Sequence, residues 1–103
     1  MVRNLLTEEF DNKTEKGVVL IDFYADWCGP CKKLSPPLES VAKRIGAEAN
    51  IYKVDVDENA DLANRFGIRG VPTMLLFKDG KLVRSMPGVQ DENIIFEAVK
   101  SAL

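Results

Sequence analysis

Val18-Val19-Leu20-Ile21-Asp22-Phe23-Tyr24-Ala25-Asp26-Trp27-Cys28-Gly29-Pro30-Cys31 carries an unbroken apolar, β-branched segment into two cysteines separated by two residues. Continuous rather than alternating, Val18–Tyr24 reads as a strand covered on both faces, the kind found in sheets flanked by helices. Gly29 and Pro30 then open a helix, because proline is tolerated in a first turn where its missing N–H costs nothing. That places Cys28 at the helix N-terminus, where free backbone N–H groups and the dipole favour a thiolate. The stabilisation is about 0.3–1 kcal/mol when exposed and up to ~2 when partly buried, so it lowers the thiol by roughly one pKa unit. Cys31, one turn further in, is expected to be shielded and less acidic. The pattern assigns attack to Cys28 and resolution to Cys31.

Working outward, Leu34, Leu38, Val41, Ala42 and Ile45 continue as one apolar stripe on a helix ending at Gly46. Pro36 and Pro37 each remove an amide donor, which predicts a kink in that helix rather than a break. Upstream, residues 2–6 read as a short first strand, followed by a helix capped by Thr7 with Glu8 and Glu9 in its first turn and ended by Gly17. Downstream come a third strand over 49–56 and a short helix over 59–66. Residues 73–77 and 82–86 form a hairpin around Asp79-Gly80. A last helix is capped by Asp91, with Ile94, Ile95, Ala98, Val99 and Ala102 facing inward. The order β-α-β-α-β-α-β-β-α implies an α/β fold: a mixed central sheet of about five strands with helices on both faces. At 103 residues the chain is expected to be a single domain spanning 1–103, large enough for an apolar core of its own.

Composition narrows the chemistry. The chain has no histidine, which removes imidazole acid–base catalysis, His-ligated metals and Ser-His or Cys-His pairs. Fourteen basic and sixteen acidic residues leave a charge of −2 with the basic ones scattered, which argues against capture of nucleic acid or anionic membrane. Residues 1–6 lack a signal-peptide apolar core, and no run approaches the ~20 apolar residues of a membrane span. A reducing, cytoplasmic setting is therefore expected.

Three plainer readings of the cysteines compete with redox chemistry. A structural disulfide across four residues would constrain the unfolded chain little. Half a zinc site lacks its second ligand pair, so no metal is expected. Inert core cysteines fit poorly beside Trp27 and the Gly-Pro insert. Cys-x-x-Cys within a βαβ pattern favours a redox pair. Asp55-x-Asp57-x-Asn59-x-Asp61 imitates the start of a calcium loop, but its sixth position is Ala60 and its twelfth Phe66. It reads instead as a solvated acidic turn with a helix cap.

The stretch from Phe23 to Lys32 resembles the active-site signature of the thioredoxin family. The similarity continues through Pro36, Val54-Asp55-Val56-Asp57, Phe66-Gly67-Ile68-Arg69-Gly70-Val71-Pro72-Thr73, Phe77-Lys78-Asp79-Gly80 and Gly88, spanning nearly the whole chain. Two departures are Tyr24, where the family commonly has Trp, and Pro37, a second proline beside the family's own. The resemblance implies a protein dithiol–disulfide oxidoreductase that reduces client disulfides through Cys28 and Cys31, needs no cofactor beyond that pair, and is monomeric. It further implies re-reduction by a thioredoxin reductase, because the chain has no Gly-rich nucleotide fingerprint of its own. The Gly29-Pro30 insert resembles reductants rather than oxidases or isomerases, which usually carry His there. A redox-silent module using the same fold as a clamp is the alternative from another class.

Asp22 is a carboxylate within an otherwise apolar run. Buried, it would have a raised pKa and could take the proton from Cys31 through a water, a role the resemblance supports; at a sheet edge it would simply reach water. Lys53 matches the family's lysine near this carboxylate, although a solvated strand lysine is an equal reading. Pro72 could be a plain strand-starting proline. By resemblance Val71-Pro72 is instead a cis-proline loop facing the disulfide, with the Val71 backbone pairing to an extended client segment. Trp27, Ile68, Val71, Gly88 and Val89 would then form an apolar collar around Cys28.

Overall fold

The computed structural model describes residues 2–103. Its five-stranded sheet has the order β1-β3-β2-β4-β5. The strands are β1 (Arg3–Asn4), β2 (Val18–Tyr24), β3 (Asn50–Asp55), β4 (Thr73–Lys78) and β5 (Lys81–Pro87). β1 and β2 flank β3 in parallel, whereas β4 runs antiparallel to β2 and β5 antiparallel to β4. The helices are α1 (Phe10–Thr14), α2 (Gly29–Ile45), α3 (Ala60–Arg65) and α4 (Glu92–Ala102), with 3₁₀ turns at Thr7–Glu9 and Gly46–Glu48. This is the expected mixed sheet with helices on both faces.

Because side chains alternate along a strand, β2 divides its residues between two cores. Val18 and Leu20 meet Leu34, Leu38, Val41 and Ile45 of α2 and Ile95, Ala98 and Val99 of α4. Val19, Ile21 and Phe23 meet Phe10 of α1 and Leu62 of α3. Full burial on both sides accounts for the unbroken apolar run. α2 continues through Pro36 and Pro37 without a break and ends at Gly46, whose φ of 62° suits a residue without a Cβ. The β4–β5 turn holds Asp79 and Gly80 at φ 48° and 83°, the doubly left-handed turn that joins twisted strands.

Four expectations are corrected. The first strand is confined to Arg3–Asn4. Thr7 does not cap the first helix: its N–H and hydroxyl both bond Asn59 Oδ1, at 2.9 and 3.0 Å, while Glu9 Oε1 accepts the Leu6 N–H. Ile94 is 47% exposed, because neighbouring residues on a helix turn by about 100° and the stripe is centred on Ile95, Ala98, Val99 and Ala102. The acidic turn after β3 is not solvated throughout. Asp55 and Asn59 are buried; Asp55 Oδ1 accepts the Asp57 N–H at 2.9 Å and Asn59 Nδ2 donates to the Asp55 carbonyl at 3.0 Å.

Candidate active site

Cys28 is the N-cap of α2, with extended backbone angles and Pro30 within the first turn. Its Sγ accepts the Cys31 N–H at 3.1 Å and lies 3.6 Å from the Val71 carbonyl oxygen. A terminal amide thus points directly at sulfur, which is the contact that favours a thiolate there. Cys28 and Cys31 are joined as a disulfide, with Cα atoms 5.3 Å apart.

Cys31 is shielded as expected, at 3% exposed, but Cys28 is buried as well, at 4%. Positions 31, 34, 38, 41 and 45 share one helical stripe, and Cys28, ahead of the helix, packs with Cys31 among Tyr24, Ala25, Val56 and Val71. What distinguishes the sulfurs is electrostatic: among the described residues, Cys28 Sγ accepts a backbone amide and Cys31 Sγ accepts none. Cys31 borders a small cavity of about 100 Å³ lined with Tyr24, Ala25, Asp26, Lys32, Ser35 and Lys53.

Asp22 lies on the face of β2 that carries α2, between Leu20 and Tyr24 on its own strand, with Lys53 of β3 and Met74 of β4 at the same register. It is 0% exposed, and neither carboxylate oxygen has a hydrogen-bond partner among the described residues. Desolvation pushes its pKa up from 3.8 to about 7, against a smaller opposing pull from Lys53. The edge-position reading is thereby excluded, since β2 is the central strand. Lys53 is half-buried rather than solvated, its Nζ 4.3 Å from the centroid of the Tyr24 ring. Tyr24 Oη in turn accepts from Asn4 Nδ2 at 2.7 Å, and burial raises the phenol's pKa.

The Val71–Pro72 peptide is cis, and the Pro72 carbonyl accepts the Gly88 N–H at 2.8 Å. Trp27, 72% exposed, shares a depression of about 150 Å³ with Val56, Ile68, Arg69, Gly70 and Val71. Gly88 joins Ile68, Val71 and Pro72 around a larger one of about 430 Å³. Val89 is exposed beside Gly88 and lines neither. Sequence reasoning missed Asp57, whose Oδ2 accepts the Trp27 indole N–H at 2.9 Å. It stood in an imitated calcium motif and in the family-like stretch Val54–Asp57, with no role assigned, and nothing local links positions 27 and 57. It also missed Tyr24 and Asn4, which meet Lys53 only because β1, β3 and β2 are neighbours.

The thioredoxin family profile matches residues 1–101. The chain is 41% identical over 96 residues to the thioredoxin of Bacillus subtilis, covering 93% of this chain and 92% of that one. It is 42% identical over 95 residues to a Staphylococcus aureus thioredoxin, covering 92% and 91%. Among solved structures, a thioredoxin point mutant from Halobacterium salinarum superposes with a TM-score of 0.89 at 44% identity, covering 98% of this chain and 88% of that one. A Malassezia sympodialis thioredoxin gives 0.90 at 35% identity, covering 99% and 90%.

Proposed function

The chain belongs to the thioredoxin family and is a protein dithiol–disulfide oxidoreductase, and from that premise we propose the roles its residues take. The Cys28 thiolate attacks one sulfur of a client disulfide, forming a mixed disulfide and expelling the other client sulfur as thiolate. Cys31 gives its proton to Asp22 through a water and attacks Cys28 Sγ. The Cys28–Cys31 disulfide forms, the second client sulfur leaves, and two electrons have passed to the client. The observation that carries this order is the Cys31 N–H donated to Cys28 Sγ at 3.1 Å, which stabilises the anion at position 28 alone.

Asp22 is suited to its part because a carboxyl with a pKa of about 7 can both accept and release a proton near neutrality. Lys53 pulls the Asp22 pKa down against the larger effect of burial and so sets how readily that carboxyl ionises, and Gly29 and Pro30 open α2. Trp27, Ile68, Val71, Pro72, Gly88 and Val89 receive the client, with the Val71 backbone available beside Cys28 for an added strand. Clients are proteins with exposed disulfides, and a thioredoxin reductase returns the electrons. Residues 1–103 act as one monomeric domain in the cytoplasm, with no cofactor beyond the cysteine pair.

Insulin reduction with dithiothreitol tests the assignment. The protein accelerates precipitation and Cys28→Ser abolishes the acceleration, whereas a redox-silent clamp would be indifferent to both. Cys31→Ser accumulates a covalent client adduct through Cys28. Adducts trapped instead through Cys31 in a Cys28→Ser variant would reverse the order of attack.

A further inference from the structure

Asp22 and Lys53 are register partners on adjacent parallel strands, with side chains on one face of the sheet. A buried carboxylate and a neighbouring ammonium would ordinarily pair, yet both Asp22 oxygens are without a hydrogen-bond partner among the described residues. The ammonium has gone elsewhere. Lys53 Nζ sits over the Tyr24 ring, 4.3 Å from its centroid, within the range of cation–π attraction. Tyr24 follows Asp22 by two residues on the same face, and Asn4 fixes its hydroxyl at 2.7 Å. Three strands therefore hold one aromatic ring where it competes with Asp22 for the same cation.

We propose that Tyr24 is a positioning residue: its ring retains the Lys53 ammonium short of Asp22, and so keeps that carboxyl a proton acceptor instead of one half of an ion pair. The inference rests on the role assigned above to Asp22. Elsewhere around the group, β4 presents uncharged Met74, while α2 and the loop before it bring Lys32 and Asp26 to the cavity shared with Cys31 and Lys53. Asp55 and Glu58 bear on the Tyr24 hydroxyl rather than on Asp22. Among the described residues, Lys53 is the cation whose charge acts on Asp22, so where it rests bears on how readily that carboxyl ionises.

Carboxyl ¹³C NMR titration of the oxidised protein, in which neither cysteine titrates, measures this directly. The wild-type Asp22 midpoint lies near neutrality. In Tyr24→Leu the freed Lys53 reaches the carboxylate and the midpoint falls by about one unit or more, the usual effect of an opposite charge within 4–6 Å. Tyr24→Phe and Tyr24→Trp keep the ring and leave the midpoint in place. In a Lys53→Gln background, Tyr24→Leu no longer lowers it. In the reduced enzyme the acid limb of the Cys31 resolving step moves down with the midpoint. A midpoint that stays or rises in Tyr24→Leu, or falls equally without Lys53, overturns the proposal and leaves the Asp22 role standing. An ordinary wild-type midpoint removes that role and this one together. Should Tyr24→Leu not fold, the wild-type protein still decides: Lys53 Hε resonances shifted upfield by the ring support the proposal, and unshifted ones refute it.

Discussion

On the sheet face covered by α1 and α3, Phe66 meets Phe10, Phe77 and Phe23 with ring centroids 5.2, 5.5 and 6.2 Å away. They join Leu5, Ile21, Val54 and Leu62, and the threonines buried on this side, Thr14 and Thr73, each donate to a backbone carbonyl. On the face covered by α2 and α4, the packing is equally close along Leu20, Leu34 and Leu38, but it gives way toward the C-terminal end of β2. There the same strand buries Asp22 with no hydrogen-bond partner, and α2 begins with two cysteines instead of leucines. One face is consistent at every position with a stable sheet. The other departs from those rules at the end where the sulfurs sit, which is where a stability cost is expected to serve chemistry.

Phe10→Ala breaks the comparison from the stable side and has the largest expected effect. Phe10 is fully buried and touches both Phe66 and Phe77, so its truncation costs about 3–5 kcal/mol, the range for large-to-small changes at buried aromatics. Urea unfolding shows the loss. Insulin reduction by the fraction still folded is unchanged, because no contact of Phe10 reaches the cysteines. A loss of specific activity larger than the folded fraction explains would show that the faces are not separable.

Asp22→Ala tests the other side, and its effect has the opposite sign. The folded state holds the Asp22 proton more tightly than the unfolded chain does, with a pKa of about 7 against 3.8. Wild-type stability therefore declines as pH rises from about 4 to 7 and stays low above that, by about 4 kcal/mol for a shift of this size. Alanine lacks the charge, so the variant is more stable at pH 8, by about 2–4 kcal/mol once its small cavity is counted. The advantage vanishes toward pH 4. Unfolding at both pH values checks the crossing, and a pH-independent difference would locate the effect in packing. The variant also resolves mixed disulfides more slowly near neutrality, and an unchanged resolving rate would remove Asp22 from the mechanism.

This division was partly legible in the residues. Val18–Tyr24 declared a doubly covered strand, and Asp22 stood out because a carboxylate contradicts such a run. The Asp79-Gly80 turn and the α2 stripe were equally plain, since each is fixed by neighbours within a few positions. Ile94 misread the phase of a local stripe, but the failures at Thr7 and at the acidic turn share a physical cause, a partner far along the chain. Thr7 looked like a cap until Asn59, 52 positions away, claimed both its N–H and its hydroxyl. The buried turn at Asp55 depends on the same long-range contact. The burial of Cys31 follows helical spacing, but that of Cys28, outside the helix, comes from Tyr24, Ala25, Val56 and Val71, and the glycine and proline between the cysteines suggested an exposed helix start. Tyr24 drew notice only as a departure from a common tryptophan; its relation to Lys53 and Asn4 requires knowing that β3 lies between β1 and β2.

The smallest effect concerns the rim, which belongs to neither core. Trp27 is mostly exposed, and its tie is the indole N–H donated to Asp57 Oδ2 at 2.9 Å. Asp57 is in turn held by its own N–H on Asp55 Oδ1, so the buried turn anchors the exposed ring. Asp57→Ala releases that ring over the depression it shares with Ile68 and Val71. A solvent-exposed contact of this kind is worth less than about 1 kcal/mol, so KM for a protein disulfide rises by at most about fivefold. The value of kcat holds, because no atom near sulfur has moved, and unfolding shifts by less than about 0.5 kcal/mol. Asp57→Asn retains an acceptor and restores most of the KM. If both variants instead lower kcat while KM stays fixed, Asp57 acts on the cysteines rather than on client capture, and the rim must be counted with the reactive face.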